Sequence, residues 1–356
     1  MSSLADAILA GPRGRRLCLE LAAGQQDGDP LPTQESLWSL LFYAEAARSK
    51  TVVRFARVST DAGESDDDEW PDPSTEEVAA ALDAVDPIAV DGLSLIRALA
   101  ASVDSARPWQ DPDETDLLLA EAPMAAHLRR IAERIAGSDA ARWLTEPIAD
   151  EQWLVDFEVR DDLRTERPFP SAHDALRTWR NEGLGSGYWW CTPPWPIPTT
   201  TRALPGLGPI GLWAVVDSFG WRGASVAPAS ISPTARVHEV MDAESWAELC
   251  RRYPYDLADT EEDWRLSTGW EGRWVIPDWS LVAHDFDAVH VTGAAYLALA
   301  ETAIPVSPGR ASVIANWPPD HTYWLTDELG RTAESTRWLR PGDDGAAQAD
   351  ELWSPA

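Results

Sequence analysis

Ala235-Arg236-Val237-His238-Glu239-Val240 decides the reading of the second half of the chain. It reads as a strand, although a charged or titratable residue falls on each of its faces. Met241 and Asp242 follow, and then a segment over 243–252 with helical spacing. Asp242 is placed to cap that helix, Glu244 falls in its first turn, Arg251 and Arg252 suit its C-terminus, and Pro254 stops it. Further strands are expected at 212–217, 274–276, 287–292, 312–317 and 322–325. A helix capped by Asp278 should run to Phe286, and another is expected over 294–302. Strand, helix and strand in succession, with extra adjacent strands, imply an α+β fold carrying a mixed α/β module.

The first 150 residues read differently. Segments 35–49, 75–84, 92–106 and 124–137 carry apolar residues at helical spacing, among them Leu37, Leu41, Leu95, Ile96, Leu99, Leu128, Ile131 and Ile135. Between the first two lies the acidic, proline-bearing stretch 61–73, expected as a flexible loop. A calcium loop is the sharper alternative there, but the turn glycine and the final glutamate are missing. The expected organisation is a helical domain over 1–150, a tryptophan-rich mixed module over 151–340 and a flexible tail over 341–356. The chain has 356 residues, more than one core usually covers.

Tryptophan divides the halves most sharply. Of 20 in the chain, only Trp38, Trp70, Trp109 and Trp143 precede residue 150. The rest imply an aromatic core, an aromatic-lined cleft, or both. The segment Tyr188-Trp189-Trp190-Cys191-Thr192-Pro193-Pro194-Trp195-Pro196-Ile197-Pro198 is expected to fold back onto its own module rather than to dock elsewhere.

Composition removes several functions. A net charge of −30 opposes nucleic acid and anionic bilayers, so neither is expected as a partner. Lys50 is the single lysine, and Arg-Ser-Lys-Thr around it is no P-loop, kinase strand or Schiff-base setting. Cys18, Cys191 and Cys250 are far apart and form no CxxC, which argues for free thiols and against structural zinc. The N-terminus lacks a basic n-region, and no run of about 18 apolar residues exists, so a cytoplasmic protein is expected. There is no GxSxG and no HExxH. Gly206-Leu207-Gly208-Pro209-Ile210-Gly211 matches a dinucleotide fingerprint by string, but a strand rather than a helix is expected to follow it.

Candidate binding residues come from three places. Arg236 and His238 put polar groups on one face of 235–240, and Glu239 lies on the other, as at an edge strand or a cleft. His290 and Thr292 share one face of 287–292. Arg202 follows Thr199, Thr200 and Thr201, where a guanidinium beside hydroxyls either holds a phosphate or carboxylate or lies on the surface of a capped turn. We expect Arg236, His238, His290 and Thr292 to converge on one pocket walled by tryptophans such as Trp221, Trp246 and Trp279. The alternative is that both histidines are satisfied core residues on separate sides of the sheet. His284 and His290, with Asp285 and Asp287 between them, allow a metal, but a helix end and a strand need not bring them together, and no metal is expected.

Two resemblances accompany this reading. Thr201-Arg202-Ala203-Leu204-Pro205-Gly206, Ile276-Pro277-Asp278-Trp279 and Asn316-Trp317-Pro318-Pro319-Asp320-His321-Thr322-Tyr323-Trp324-Leu325 resemble a recurrent type of chain from GC-rich actinobacteria, over about residues 185–325. No activity is attached to that type, so none is implied. Arg236-Val237-His238, followed by a helix, resembles the start of the NAD-binding core of ADP-ribosyltransferases. That resemblance implies NAD gripped by Arg236 or His238, hydroxyl support from Thr292 or Thr200, and a late glutamate orienting the ribose. Glu328 and Glu334 are available, but no ExE or QxE pair follows residue 310. The expectation is therefore a nucleotide-using, ADP-ribosyltransferase-like enzyme, or else a non-catalytic protein that binds a small molecule or a partner protein.

Overall fold

Ser3 accepts a hydrogen bond from the Asp6 N–H and starts α1 (Leu4–Ala10). After Gly11, Pro12 occupies the first position of α2 (Pro12–Ala23), where its missing N–H costs nothing. α3 (Leu37–Arg48) is capped by Ser36, α4 (Thr75–Ala84) by Ser74, α5 (Gly92–Asp104) by Asp91 and α6 (Glu114–Leu119) by Asp113. Each such cap supplies an acceptor for otherwise orphaned helix N–H groups, about 1 kcal/mol apiece. α7 (Ala125–Ala136) and a 3-10 helix over Asp139–Thr145 follow. The four expected segments correspond to α3, α4, α5 and α7, and α1, α2 and α6 are further helices. This computed structural model describes residues 3–24, 36–49, 71–85, 88–158, 171–183, 189–218, 220–257, 262–331, 334–341 and 352–356. Most of the acidic stretch 61–73 therefore lies outside the described residues.

Among the described residues, strands begin at β1 (Gln152–Phe157), followed by α8 (Ala172–Glu182). Next come β2 (Thr199–Thr200), β3 (Ala203–Leu204), β4 (Gly208–Pro209), β5 (Gly223–Ser230) and β6 (Val237–Val240). The chain continues through α9 (Ala243–Arg252), β7 (Pro254–Asp256), α10 (Glu262–Thr268), β8 (Arg273–Pro277), α11 (Trp279–Asp285), β9 (Ala288–Val291) and α12 (Gly293–Leu299). It closes with β10 (Ile304–Ser307), β11 (Arg310–Ser312), β12 (Thr322–Trp324), β13 (Gly330–Arg331), β14 (Thr336–Leu339) and β15 (Ser354–Pro355). The fold is α+β, as expected. One sheet has the order β1-β5-β14-β15, with β13 also on β5 and all pairs antiparallel. A second, β10-β11-β8-β7, and a third, β2-β12-β9-β6, each contain one parallel pair, β11 with β8 and β6 with β9.

Two expected strands are corrected. Residues 212–217 do not pair: a 3-10 helix over Ile210–Leu212 leads into turns, and Asp217 has a φ of 53°. The apolar run there is buried without being extended. Of 312–317, only Ser312 belongs to a strand, and the segment ends at Asn316 with a φ of 59°. The glycine motif forms the β3–β4 hairpin rather than a helix start: Gly206 and Gly208 take φ values of 73° and 77°, open to glycine at little cost.

The helical stretch and the strand-bearing stretch share one apolar cluster, which includes Leu17 and Ile131 on one side and Val289 and Leu297 on the other. α1 and α2 pack on α12 so closely that a Cβ at Gly11 would collide with the carbonyls of Leu297 and Ala298. Arg13 of α2 is buried between Asp116 and Glu301, and its Nη1 donates to the Ser102 carbonyl at 2.9 Å. Burial pushes the Glu301 carboxyl up, against the pull of Arg13. Of the expected tail, 342–351 lie outside the described residues; β15 pairs with β14, and Trp353 is buried.

Most described tryptophans make the core. Trp246, Trp279 and Trp317 are buried against one another with ring centroids 5.7–6.3 Å apart. Their indole N–H groups donate to Ser312 Oγ, the Cys191 carbonyl and the His321 carbonyl. Residues 189–198 fold back as expected, Tyr188 lying outside the described residues: the Cys191 N–H donates to the Ala315 carbonyl and Trp264 Nε1 to the Trp189 carbonyl. Trp195, at its apex, stays exposed.

Candidate functional site

The parallel register of β6 and β9 places Glu239 beside His290 and His238 beside Val289. Successive side chains of a strand point to opposite faces. His290 and His238 therefore lie on opposite sides of the sheet. On the His290 side, Nδ1 is 2.6 Å from Glu239 Oε2 and Nε2 is 3.3 Å from Asp320 Oδ1. Asp320 also accepts from Arg202 Nε at 2.7 Å and from the Arg202 N–H at 3.1 Å. Arg202 reaches on to Glu146 Oε2 at 2.7 Å and the Pro147 carbonyl at 2.6 Å. Burial opposes charge on the His290 ring, but the bonds to Asp320 and Glu239 outweigh it and hold its pKa above the ordinary histidine value. The result is a buried chain of alternating charge, Glu146–Arg202–Asp320–His290–Glu239. It fastens loop 146–148, β6, β9 and the 316–321 loop together.

Arg202 does hold carboxylates, but they belong to its own chain. It is buried, so the surface-turn reading is corrected. On the other side of the sheet, His238 sits under α9, with Nε2 3.2 Å from the Ser245 carbonyl and its ring edge-on to Phe286. Desolvation lowers its pKa. Arg236, beside it at the sheet edge, is committed to Asp287: its N–H and Nε reach Oδ2 at 2.8 and 3.1 Å, and Nη2 reaches Oδ1 at 3.0 Å. Thr292 caps α12 through the Ala295 N–H and donates to the Val240 carbonyl. The expected convergence of Arg236, His238, His290 and Thr292 does not form. Trp246 and Trp279 are core residues rather than pocket walls. β6 is an edge strand, which is why it carries polar groups on both faces.

A concavity forms elsewhere. α8 and α11 lie side by side, and the chain leaving β12 closes the end between them. The cleft encloses about 360 Å³, with Leu176, Ala283 and Leu325 as apolar lining and His173, Arg177, Arg180 and His284 among the polar groups. Arg180 Nε lies 2.7 Å from Asp278 Oδ2, and its guanidinium sits 4.9 Å from the Tyr255 ring centroid. Asp278 is buried; its Oδ1 caps α11. The sequence expectations place no helix over 171–182 and so do not reach this cleft. The signal was present: Ser171 caps the segment, and His173, Arg177 and Arg180 recur at i, i+4 and i+7 on one face.

A larger cleft of about 740 Å³ lies beside Trp143, where Asp139, Glu146, Asp150 and Glu151 outnumber Arg142 and Arg202. Its best-placed cation, Arg202, is already saturated by the network above. Among the described residues no group of three or more His, Cys, Asp or Glu is arranged to hold a metal ion, and no helix is long and apolar enough to cross a membrane. No protein-family model, curated protein or solved structure matches this chain at a significant level.

Proposed function

We propose that this protein binds a small molecule in the cleft between α8 and α11, and that its role is recognition rather than group transfer. The observation that carries this reading is the combination in one concavity of an apolar lining, Leu176, Ala283 and Leu325, with polar side chains placed by two packed helices. Ligand sites commonly pair apolar walls with a few positioned polar groups. The ADP-ribosyltransferase-like reading lacks such support. It needs Arg236 or His238 free to grip NAD, and Arg236 is paired with Asp287 while His238 is packed under α9.

A thermal-shift screen with nucleotides, NAD, sugars, small aryl acids and divalent metals tests the proposal. A ligand that binds only the folded state at about 100 times its Kd adds about 2.7 kcal/mol of stability. Hits should disappear in Ala283→Trp, which fills the cleft from its half-buried wall. Hits that persist undiminished in that variant would overturn the assignment.

A further inference from the structure

We infer that the ligand of the α8–α11 cleft is an anion, a carboxylate or phosphate ester on an apolar body, and that Arg180 binds its charge. The inference rests on the cleft being a ligand site. In a chain of net charge −30, a concavity lined by Arg177, Arg180, His173 and His284 against the single carboxylate Asp327 runs counter to composition. That carboxylate is also engaged, since Asp327 Oδ1 accepts the Ala172 N–H at 3.1 Å near the start of α8.

The two arginines differ in how they are held. Arg177 is closed locally by Asp174, one turn away, at 2.8 Å. Arg180 is fixed from two sides instead, by the charge of Asp278 at Nε and by the ring of Tyr255. Asp278 takes the Nε side, and among the described residues no group is hydrogen-bonded to Nη1 or Nη2, so that pair of donors is unspent. A guanidinium held in place with free parallel N–H groups is matched to a carboxylate or phosphate in bidentate geometry. Asp278 is itself buried, with Oδ1 spent on the Ser280 and Leu281 N–H groups. It therefore anchors Arg180 without projecting as a competing surface anion. Leu176, Ala283 and Leu325 receive the apolar body. A volume of about 360 Å³ is at the small end for ligand pockets and suits an aryl acid or one mononucleotide rather than a dinucleotide.

The test is isothermal titration of the full chain with benzoate, phenyl phosphate and the neutral benzyl alcohol, at low and at physiological salt. The anions should bind at least tenfold more tightly than benzyl alcohol, with affinity falling as salt rises. The tighter of the two anions identifies the headgroup. Arg180→Gln should bring the anions down to the level of benzyl alcohol and leave benzyl alcohol unchanged. Arg180→Lys, which keeps the charge and loses the fork, should fall between the two and serves if the glutamine variant does not fold. Equal binding of all three probes, blocked by Ala283→Trp but indifferent to Arg180→Gln, would refute the anion inference and spare the cleft. No binding of any probe to the native chain would refute both.

Discussion

Asp320→Asn isolates the charge at the centre of the buried network. Asp320 has a φ of 58°, in the left-handed region, and asparagine accepts that conformation as readily as aspartate. The shape of the loop should therefore survive while the negative charge is lost. Asp320 is 1% exposed and receives Arg202 Nε, the Arg202 N–H and His290. Breaking a buried ion pair from one side costs about 3–5 kcal/mol, because the partner charge stays buried. Arg202 retains Glu146 and the Pro147 carbonyl, and His290 retains Glu239, so the low end, about 3 kcal/mol, is expected. Urea unfolding followed by tryptophan fluorescence measures it as a lower midpoint with an unchanged slope. The network also carries a pH signature. The raised pKa of His290 means that its contribution is fully present below the ordinary histidine pKa and is lost as pH rises through the folded-state value. Asp320→Asn should flatten that alkaline loss. A variant within about 1 kcal/mol of the parent, with the same pH dependence, would refute the role given to the network.

His321 works in the opposite direction. Burial pushes its pKa down from 6.5 to about 4, so stability should be complete above 6.5 and fall by roughly 3 kcal/mol as pH drops toward 4, a slope that His321→Gln should remove in urea titrations. Gly14→Ala should destabilise, although alanine normally gains about 1 kcal/mol over glycine within a helix, because the added Cβ meets the Ile8 carbonyl; thermal denaturation reads the sign. Cys18, Cys191 and Cys250 are buried thiols pushed up to about 12, so a thiol-reactive dye should label none of them in the native protein at pH 8 and all three in denaturant.

Sequence periodicity was most legible where caps and apolar spacing agreed. Asp242 and Asp278 cap the helices they were expected to cap, and α9 begins and ends where Asp242, Arg252 and Pro254 placed it. α2 was hidden because its inward face includes Arg13 and Gly14, which break the apolar pattern; the charge of Arg13 is met by Asp116 and Glu301, far away in sequence. β5 was hidden by its small residues and Pro228. The expected strand at 212–217 failed for the converse reason, since burial alone makes a run apolar without making it extended. His290 and Arg202, expected as ligand-binding residues, are instead bonded within the chain. What no local pattern revealed is that Glu239, Asp320 and Glu146 satisfy them. Nor does single-sequence spacing show α8 lying on α11, which is a long-range contact between 171–182 and 279–285.

Photoaffinity labelling locates the ligand on the chain. A benzophenone-bearing phosphate ester small enough for the cleft would be crosslinked to the native chain and the adduct mapped by peptide mass spectrometry. Saturable labelling, competed by phenyl phosphate, is expected within peptides from α8, α11 or the segment 325–327. Saturable adducts confined to the cleft beside Trp143, or labelling unchanged in Ala283→Trp, would contradict a site between α8 and α11.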